Sequence, residues 1–172
     1  MHHLIFKNMI CKYKATIPGS KVFMREYEIK SDISLYSLHN FLLNDLDFSP
    51  DQMVAFRGLN NEGLVKDEYG LFDMGCGTMD SVSIESTLKR GETTLEYVYD
   101  LHKNHLIVLT FIGETEMMPR SSYPRLVAEK GRNPEQFADK YEDLNQIMEP
   151  VDEGGDDSSF MEEELPEGEE QS

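Results

Sequence analysis

The twenty residues "TTLEYVYDLHKNHLIVLTFI", positions 93 to 112, constrain this chain more than any other stretch. In the first half Leu95, Tyr97 and Tyr99 alternate with Thr94, Glu96 and Val98, the period of a strand with one face on a core and one toward water. The second half, "HLIVLTFI", is apolar on both faces, which predicts a strand near the middle of a sheet. Only Asp100 to Asn104 separate the two runs, a connection that suits a hairpin and is too short for a parallel crossover. An antiparallel pair is therefore the expected centre of the fold.

The flanking sequence extends that pair. "MICKYKATI" and "VFMREYEI" read as a second hairpin turned by "PGSK", with Phe23, Arg25, Tyr27 and Ile29 on the more apolar face. In "SDISLYSLHNFLLNDLDF", Leu35, Leu38, His39, Leu42, Leu43 and Leu46 recur at helical spacing, with Ser34 as N-cap and Ile33 placed to staple against Leu38. A short strand is expected from Met53 to Phe56 and a turn at "NNEG". Residues 66 to 80, broken by "DMGCGTMD", read as a mobile segment, after which Ser81 or Ser83 caps a short helix burying Ile84 and Leu88 and ending at Gly91. Leu126 to Ala128 suit an edge strand. "NPEQFADKYEDLNQIM" predicts a second long helix, with Asn133 as N-cap, Pro134 at the first helical position, Gln136 in the capping box, and a stripe of Phe137, Tyr141, Leu144 and Met148.

Charge divides the chain. Residues 1 to 148 hold all 16 Lys and Arg against 22 acids, a net −6, while residues 149 to 172 hold 11 acids and no base. The expected organisation is one domain over 1 to 148 and a disordered acidic tail over 149 to 172, whose few apolar residues cannot offset the entropy of ordering. Phe160 and Met161, set among acids, could serve as a short docking motif for a protein partner. An acidic body argues against a nucleic-acid backbone as the main partner, because such binding draws its affinity from clustered Lys and Arg. The chain shows no leader-like h-region and no apolar run of spanning length, so a soluble, cytoplasmic protein with no membrane association is expected. Cys11 and Cys76 lie far apart without a CxxC or Cys/His repeat, which predicts reduced thiols and signals neither a metal site nor a cofactor.

Four polar residues are candidates for a site. His39 lies on the apolar helix stripe, where a core histidine satisfied by a neighbour competes with a catalytic base. Arg25 shares the inner face of its strand and needs an acid, as a structural strut or as an anion-binding group. Asp100 and His105, with His102 between them, place carboxylate and imidazoles at one hairpin, as proton transfer or metal binding would require. Turn chemistry accounts for Asp100 and Asn104 without any such role, and "GCGT" around Cys76 lacks the lysine and spacing of a phosphate loop.

The order of a hairpin with "VFMREYEI", a helix with "SLYSLHNFLL", and a strand ending in "YVYD" resembles a bacterial family named for open reading frame 3 of an Ri plasmid, also labelled insertion-sequence passenger or TnpR-like. Arg25 matches the family's strand arginine, and Leu35, Leu38 and His39 match its Leu-x-x-Leu-His pattern. The family signature Tyr-Asp-Phe-Gly-Asp, followed by Trp and His, is kept at Tyr99 and Asp100. Leu101 stands for the Phe, His102 and Lys103 replace Gly and Asp, the chain has no Trp, and His105 aligns with the family His only if two residues are deleted. The resemblance spans about residues 10 to 140 and looks closest to a subgroup with a degenerate signature and an acidic tail. It implies an α+β fold and, from its transposon and plasmid labels, an accessory role beside mobile DNA, with no reaction attached.

These readings converge on an α+β fold, an antiparallel or mixed β-sheet built from hairpins with two or three helices packed on it. The leading expectation for function is a non-enzymatic module that binds another protein, with the acidic tail as an arm. The alternative is an enzyme or small-ligand-binding domain that gathers Arg25, His39, Asp100 and His105 around one pocket.

Overall fold

A computed structural model describes residues 9–73, 75–139 and 141–143. Their seven strands are β1 (Met9–Thr16), β2 (Met24–Lys30), β3 (Ala55–Leu59), β4 (Val65–Gly70), β5 (Thr94–Asp100), β6 (His105–Glu116) and β7 (Arg125–Lys130). They form one open sheet in the order β4-β3-β5-β6-β1-β2-β7, and each neighbouring pair is antiparallel. The strand that is apolar on both faces, β6, lies fourth of the seven and is paired on both edges from Val108 to Thr110, with Ile107 and Leu109 buried on one face and Leu106 and Val108 half-buried on the other.

Two α-helices, α1 (Leu35–Leu46) and α2 (Ile84–Lys89), occur among the described residues. The side chain of Ser34 caps α1 by accepting from Ser37 N at 3.0 Å, and the helix ends where Asp47 turns left-handed at φ 61°. The predicted stripe is buried as Leu35, Leu38, His39, Leu42 and Leu46, each leucine contributing on the order of 2 kcal/mol by leaving water. It packs into one core with Tyr13, Tyr27, Phe56, Leu95, Tyr97, Ile107 and Leu109 from the sheet. At α2, Ser83 and Ser86 cap each other reciprocally at 3.1 Å, and Gly91 leaves the helix at φ 82°.

The predicted second long helix does not form in its described part. Residues 133–139 and 141–143 contain only turn, bend and irregular backbone, and Phe137 is exposed. The side chains expected to cap it are used elsewhere: Asn133 Oδ1 accepts from Arg25 and its Nδ2 donates to Asp45 O, while Gln136 holds both N and O of Ser49. Tertiary hydrogen bonds to the end of α1 replace the local cap, and Tyr141 packs edge-on against Phe23. Leu144 and Met148 lie outside the described residues, as do 149 to 172 with Phe160 and Met161.

Two smaller corrections concern β3 and β4. The strand expected at Met53 to Phe56 starts two residues later and runs through Arg57 and Gly58. The segment expected to be mobile begins with ordered β4, because Tyr69 is fully buried and pairs opposite Phe56. Among the described residues no helix is long and apolar enough to cross a membrane.

Candidate functional site

The sequence candidates occupy separate, internally satisfied positions. Arg25, 1% exposed, donates through Nη1 to Met24 O and Lys130 O at 2.8 Å and through Nη2 to Asn133 Oδ1 at 2.7 Å. Its guanidinium lies 4.4 Å from the centroid of Phe23, and Glu129 stands 3.8 Å from its Nε. The arrangement ties β2 to β7 and to the chain beyond. His39 sits under the sheet with Nδ1 2.7 Å from the hydroxyl of Tyr97. Burial lowers the imidazole pKa and raises that of the phenol, so a neutral ring accepting the phenol proton at Nδ1 satisfies both groups.

At the opening hairpin, Asp100 and His105 are register partners across β5 and β6. Asp100 Oδ1 accepts from Lys103 N at 3.0 Å and Asn104 adopts φ 58°, which is the local turn chemistry of these residue types, while Asn104 Oδ1 also accepts from Arg57 of β3. His105 lines a cavity of about 270 Å³ together with Tyr99, Asn104, Asp139 and Tyr141. Among the described residues, no hydrogen bond, ion pair or ring contact joins Arg25 or His39 to Asp100 or His105.

A denser constellation lies at the other end of the sheet order, and sequence reasoning missed it. The chain leaves α2 through Gly91 and turns Glu92 inward, its backbone N bonded to Thr87 O at 2.9 Å. Glu92 has no exposed surface. Tyr69, on the outermost strand β4, places its hydroxyl 2.9 and 3.1 Å from the two carboxyl oxygens of Glu92 and 3.2 Å from Asp67 Oδ2. Arg90 Nη1 donates to the same hydroxyl at 2.6 Å and stands 3.7 Å from Asp67. The Tyr69 hydroxyl brings the carboxyls of Asp67 and Glu92 within hydrogen-bond reach of one atom, and each carboxyl shifts the other, with the Cys76 thiol a further influence on Asp67.

Two carboxyl groups in contact cannot both ionise cheaply. Burial, and after it the contact with Asp67, pushes the Glu92 carboxyl up to about 7, while the hydrogen bond from Glu92 first of all lowers that of Asp67. As pH falls below about 7 Glu92 takes up a proton, while Asp67 stays ionised against Arg90. The only sequence sign of this cluster is Gly58 in the interior of β3, since a strand glycine marks close approach of another group. A Cβ there would stand 2.1 Å from Glu92 Oε1, so the absent side chain is the space the carboxyl fills. Among the described residues no group of three or more His, Cys, Asp and Glu is arranged to hold a metal ion.

The outer edge of β4 is the third feature. Among the described residues no strand lies beyond β4 in the sheet, and Thr78 bridges only its last residue, Gly70. Large apolar side chains flank this edge in the open, with Leu64 59%, Val65 55% and Phe72 70% exposed.

The family model described as plasmid pRiA4b ORF-3-like protein matches residues 15–165. The chain belongs to the plasmid pRiA4b ORF-3-like family. Among solved structures, this member of the family is similar to a protein of unknown function from Methanosarcina mazei Go1, with a TM-score of 0.63 at 15% identity over 74% of this chain and 72% of that one. At that identity the likeness concerns the fold alone. No curated protein matches this family member. The pRiA4b ORF-3-like resemblance read from Arg25, His39, Tyr99 and Asp100 thus rests on residues that are buried or nearly so in the fold.

Proposed function

We propose that this chain is a non-enzymatic protein-binding module that takes an extended segment of its partner along the outer edge of β4. What carries the reading is the open backbone edge of Val65 to Tyr69 with Leu64, Val65 and Phe72 exposed around it. An added strand gains main-chain hydrogen bonds, and flanking apolar side chains give it specificity. The opposite edge, β7, offers less, with Val127 39% exposed between Arg125 and Glu129 on its face of the strand. A net charge of −17 repels a second copy, so the partner segment is basic or carries basic flanks. Lys66 on the edge further disfavours self-pairing. The eleven acids of residues 149 to 172 then act as an arm that speeds encounter with a basic partner.

The test is photo-crosslinking in the host cell from an unnatural side chain at position 65, with position 127 on the opposite edge as control. The expected result is a discrete adduct from 65 that maps to an extended basic segment and is lost in a Leu64→Lys, Phe72→Asp variant. Equal labelling from both edges, or adducts indifferent to that variant, removes the reading. Identical adducts and association rates after deletion of residues 149 to 172 would remove the arm from it.

One observation favours a second reading, a small-ligand site at the 270 Å³ cavity beside His105, whose lining combines Tyr99 and Tyr141 with Asp139. It is close to the lower size of ligand pockets. Ligand-detected NMR with a fragment set, compared between the wild type and His105→Ala, tests it; no hit sensitive to that substitution discards it.

A further inference from the structure

We propose that Asp67 and Glu92, with Tyr69 and Arg90, form a protonation-controlled latch that fixes the edge strand β4, and that ionisation of Glu92 loosens it. The proposal rests on the reading of β4 as the docking edge and supplies its regulation. The inward side chains Tyr69 and Asp67 of β4 converge on this carboxyl, Tyr69 through its hydroxyl at 2.9 Å and Asp67 beside it, 3.2 Å from the same hydroxyl. Among the described residues β4 has no partner strand on its outer side, where Thr78 bridges only Gly70, so its other main tie to the fold is the single ladder to β3, which carries an irregularity between Gly58 and Leu59.

The titratable and charged groups facing Glu92 are few. β4 presents Asp67 and Tyr69, and the connection after α2 presents Arg90. Cys76 meets Asp67 from the following loop, and β3 presents only Gly58. With Glu92 protonated, Asp67 and Arg90 balance each other, and the protons on Tyr69 and Glu92 have acceptors. Loss of the Glu92 proton leaves two carboxylates against one guanidinium, with Glu92 shut off from water while Asp67 and Arg90 are partly exposed. The single proton on Tyr69 can then satisfy only one of them. The strain falls on β4, because Glu92 itself is held between the end of α2 and β5, whereas Asp67 and Tyr69 can leave with their strand and expose Glu92 to water. Burial raises the Glu92 carboxyl to about 7, which sets the latch to work around neutral pH.

The opened state restores Glu92 to an ordinary carboxylate value of about 4.3 to 4.5, so linkage makes opening about tenfold more favourable at pH 8 than at pH 6. Hydrogen exchange of the full chain, read on peptides covering 64 to 72 and referenced to β1 and to the intrinsic exchange rate, tests this without any partner. Protection of β4 is expected to fall about tenfold from pH 6 to pH 8 in the wild type and to stay level in Glu92→Gln. Level protection in the wild type overturns the latch. Carboxyl-carbon NMR of Glu92 in the wild type gives a second readout: a midpoint near 7 supports the latch, and one near 4.5 overturns it even if the Gln variant fails to fold. Loss of crosslinking from position 65 with the exchange profile intact would sink the docking reading and leave the latch standing.

Discussion

Gly58 offers the sharpest test of how the Glu92 site is built. Its φ is not in the left-handed region, so an alanine there suffers no backbone strain, and in a strand it would ordinarily be an improvement of about 0.5 to 1 kcal/mol. The obstacle is steric and specific: the new Cβ would lie 2.1 Å from Oε1, 2.4 Å from Cδ and 2.9 Å from Cγ of Glu92. The end of a flexible side chain usually swings away at little cost. Here Glu92 is fully buried and its oxygens are bonded to Tyr69, so moving it breaks buried hydrogen bonds worth about 1 to 3 kcal/mol, on top of an overpacking cost of about 1 to 3 kcal/mol. Gly58→Ala is therefore expected to destabilise by about 3 kcal/mol. In urea, with a slope of about 2 kcal/mol/M for a domain of this size, the midpoint falls by about 1.5 M. In a Glu92→Ala background the obstruction is gone, and the same substitution should cost less than about 1 kcal/mol, a coupling of about 2 kcal/mol or more. Equal midpoint shifts in the two backgrounds would refute the reasoning, as would a neutral Gly58→Ala.

Three further outcomes are expected. Because the Glu92 carboxyl is raised, its contribution is fully present below about 4.5 and is lost as pH rises toward about 7, so wild-type stability should fall relative to Glu92→Gln by about 3 kcal/mol over that window and run parallel to it above; urea titrations at stepped pH check this. His39 has the opposite sign: its pKa is lowered by burial, so its contribution is present above about 6.5 and is lost as pH falls from there, and Tyr97→Phe should cost about 1 to 2 kcal/mol in thermal unfolding while the His39 ring, followed by NMR, titrates below 6.5. Arg25→Met leaves Lys130 O and Asn133 without their donor, so β7 should lose hydrogen-exchange protection before β1 does, with an overall loss of about 2 to 4 kcal/mol; unchanged protection at Arg125 to Lys130 contradicts the strut.

Elements whose cause is local were legible in the sequence. The two hairpins, α1 with its Ser34 cap, α2 with a cap at Ser81 or Ser83, of which the structure uses Ser83, and the central place of β6 follow from side-chain period, turn residues and capping, all of which act within a few positions. The expected second long helix carried the same kind of local signal and still did not form in residues 133–139 and 141–143, because Asn133 and Gln136 found partners 88 and 87 positions away at Asp45 and Ser49. The polar candidates divided in the same way. Arg25 and His39 were correctly placed on inner faces by their period, whereas the identity of their partners, Lys130, Asn133 and Tyr97, depended on which strands became neighbours.

The sequence by itself determined the strand and helix signals, the acidic balance and membership features such as Tyr99 and Asp100. Only the tertiary structure decided that Asp67 and Tyr69 of β4 and Gly58 of β3 gather around the buried carboxyl of Glu92 after α2. The physical reason is range. Periodicity and capping are properties of neighbouring residues and can be read along the chain, but a buried carboxyl acquires its pKa and its role from groups tens of positions away, which only the closing of the sheet brings within hydrogen-bond reach.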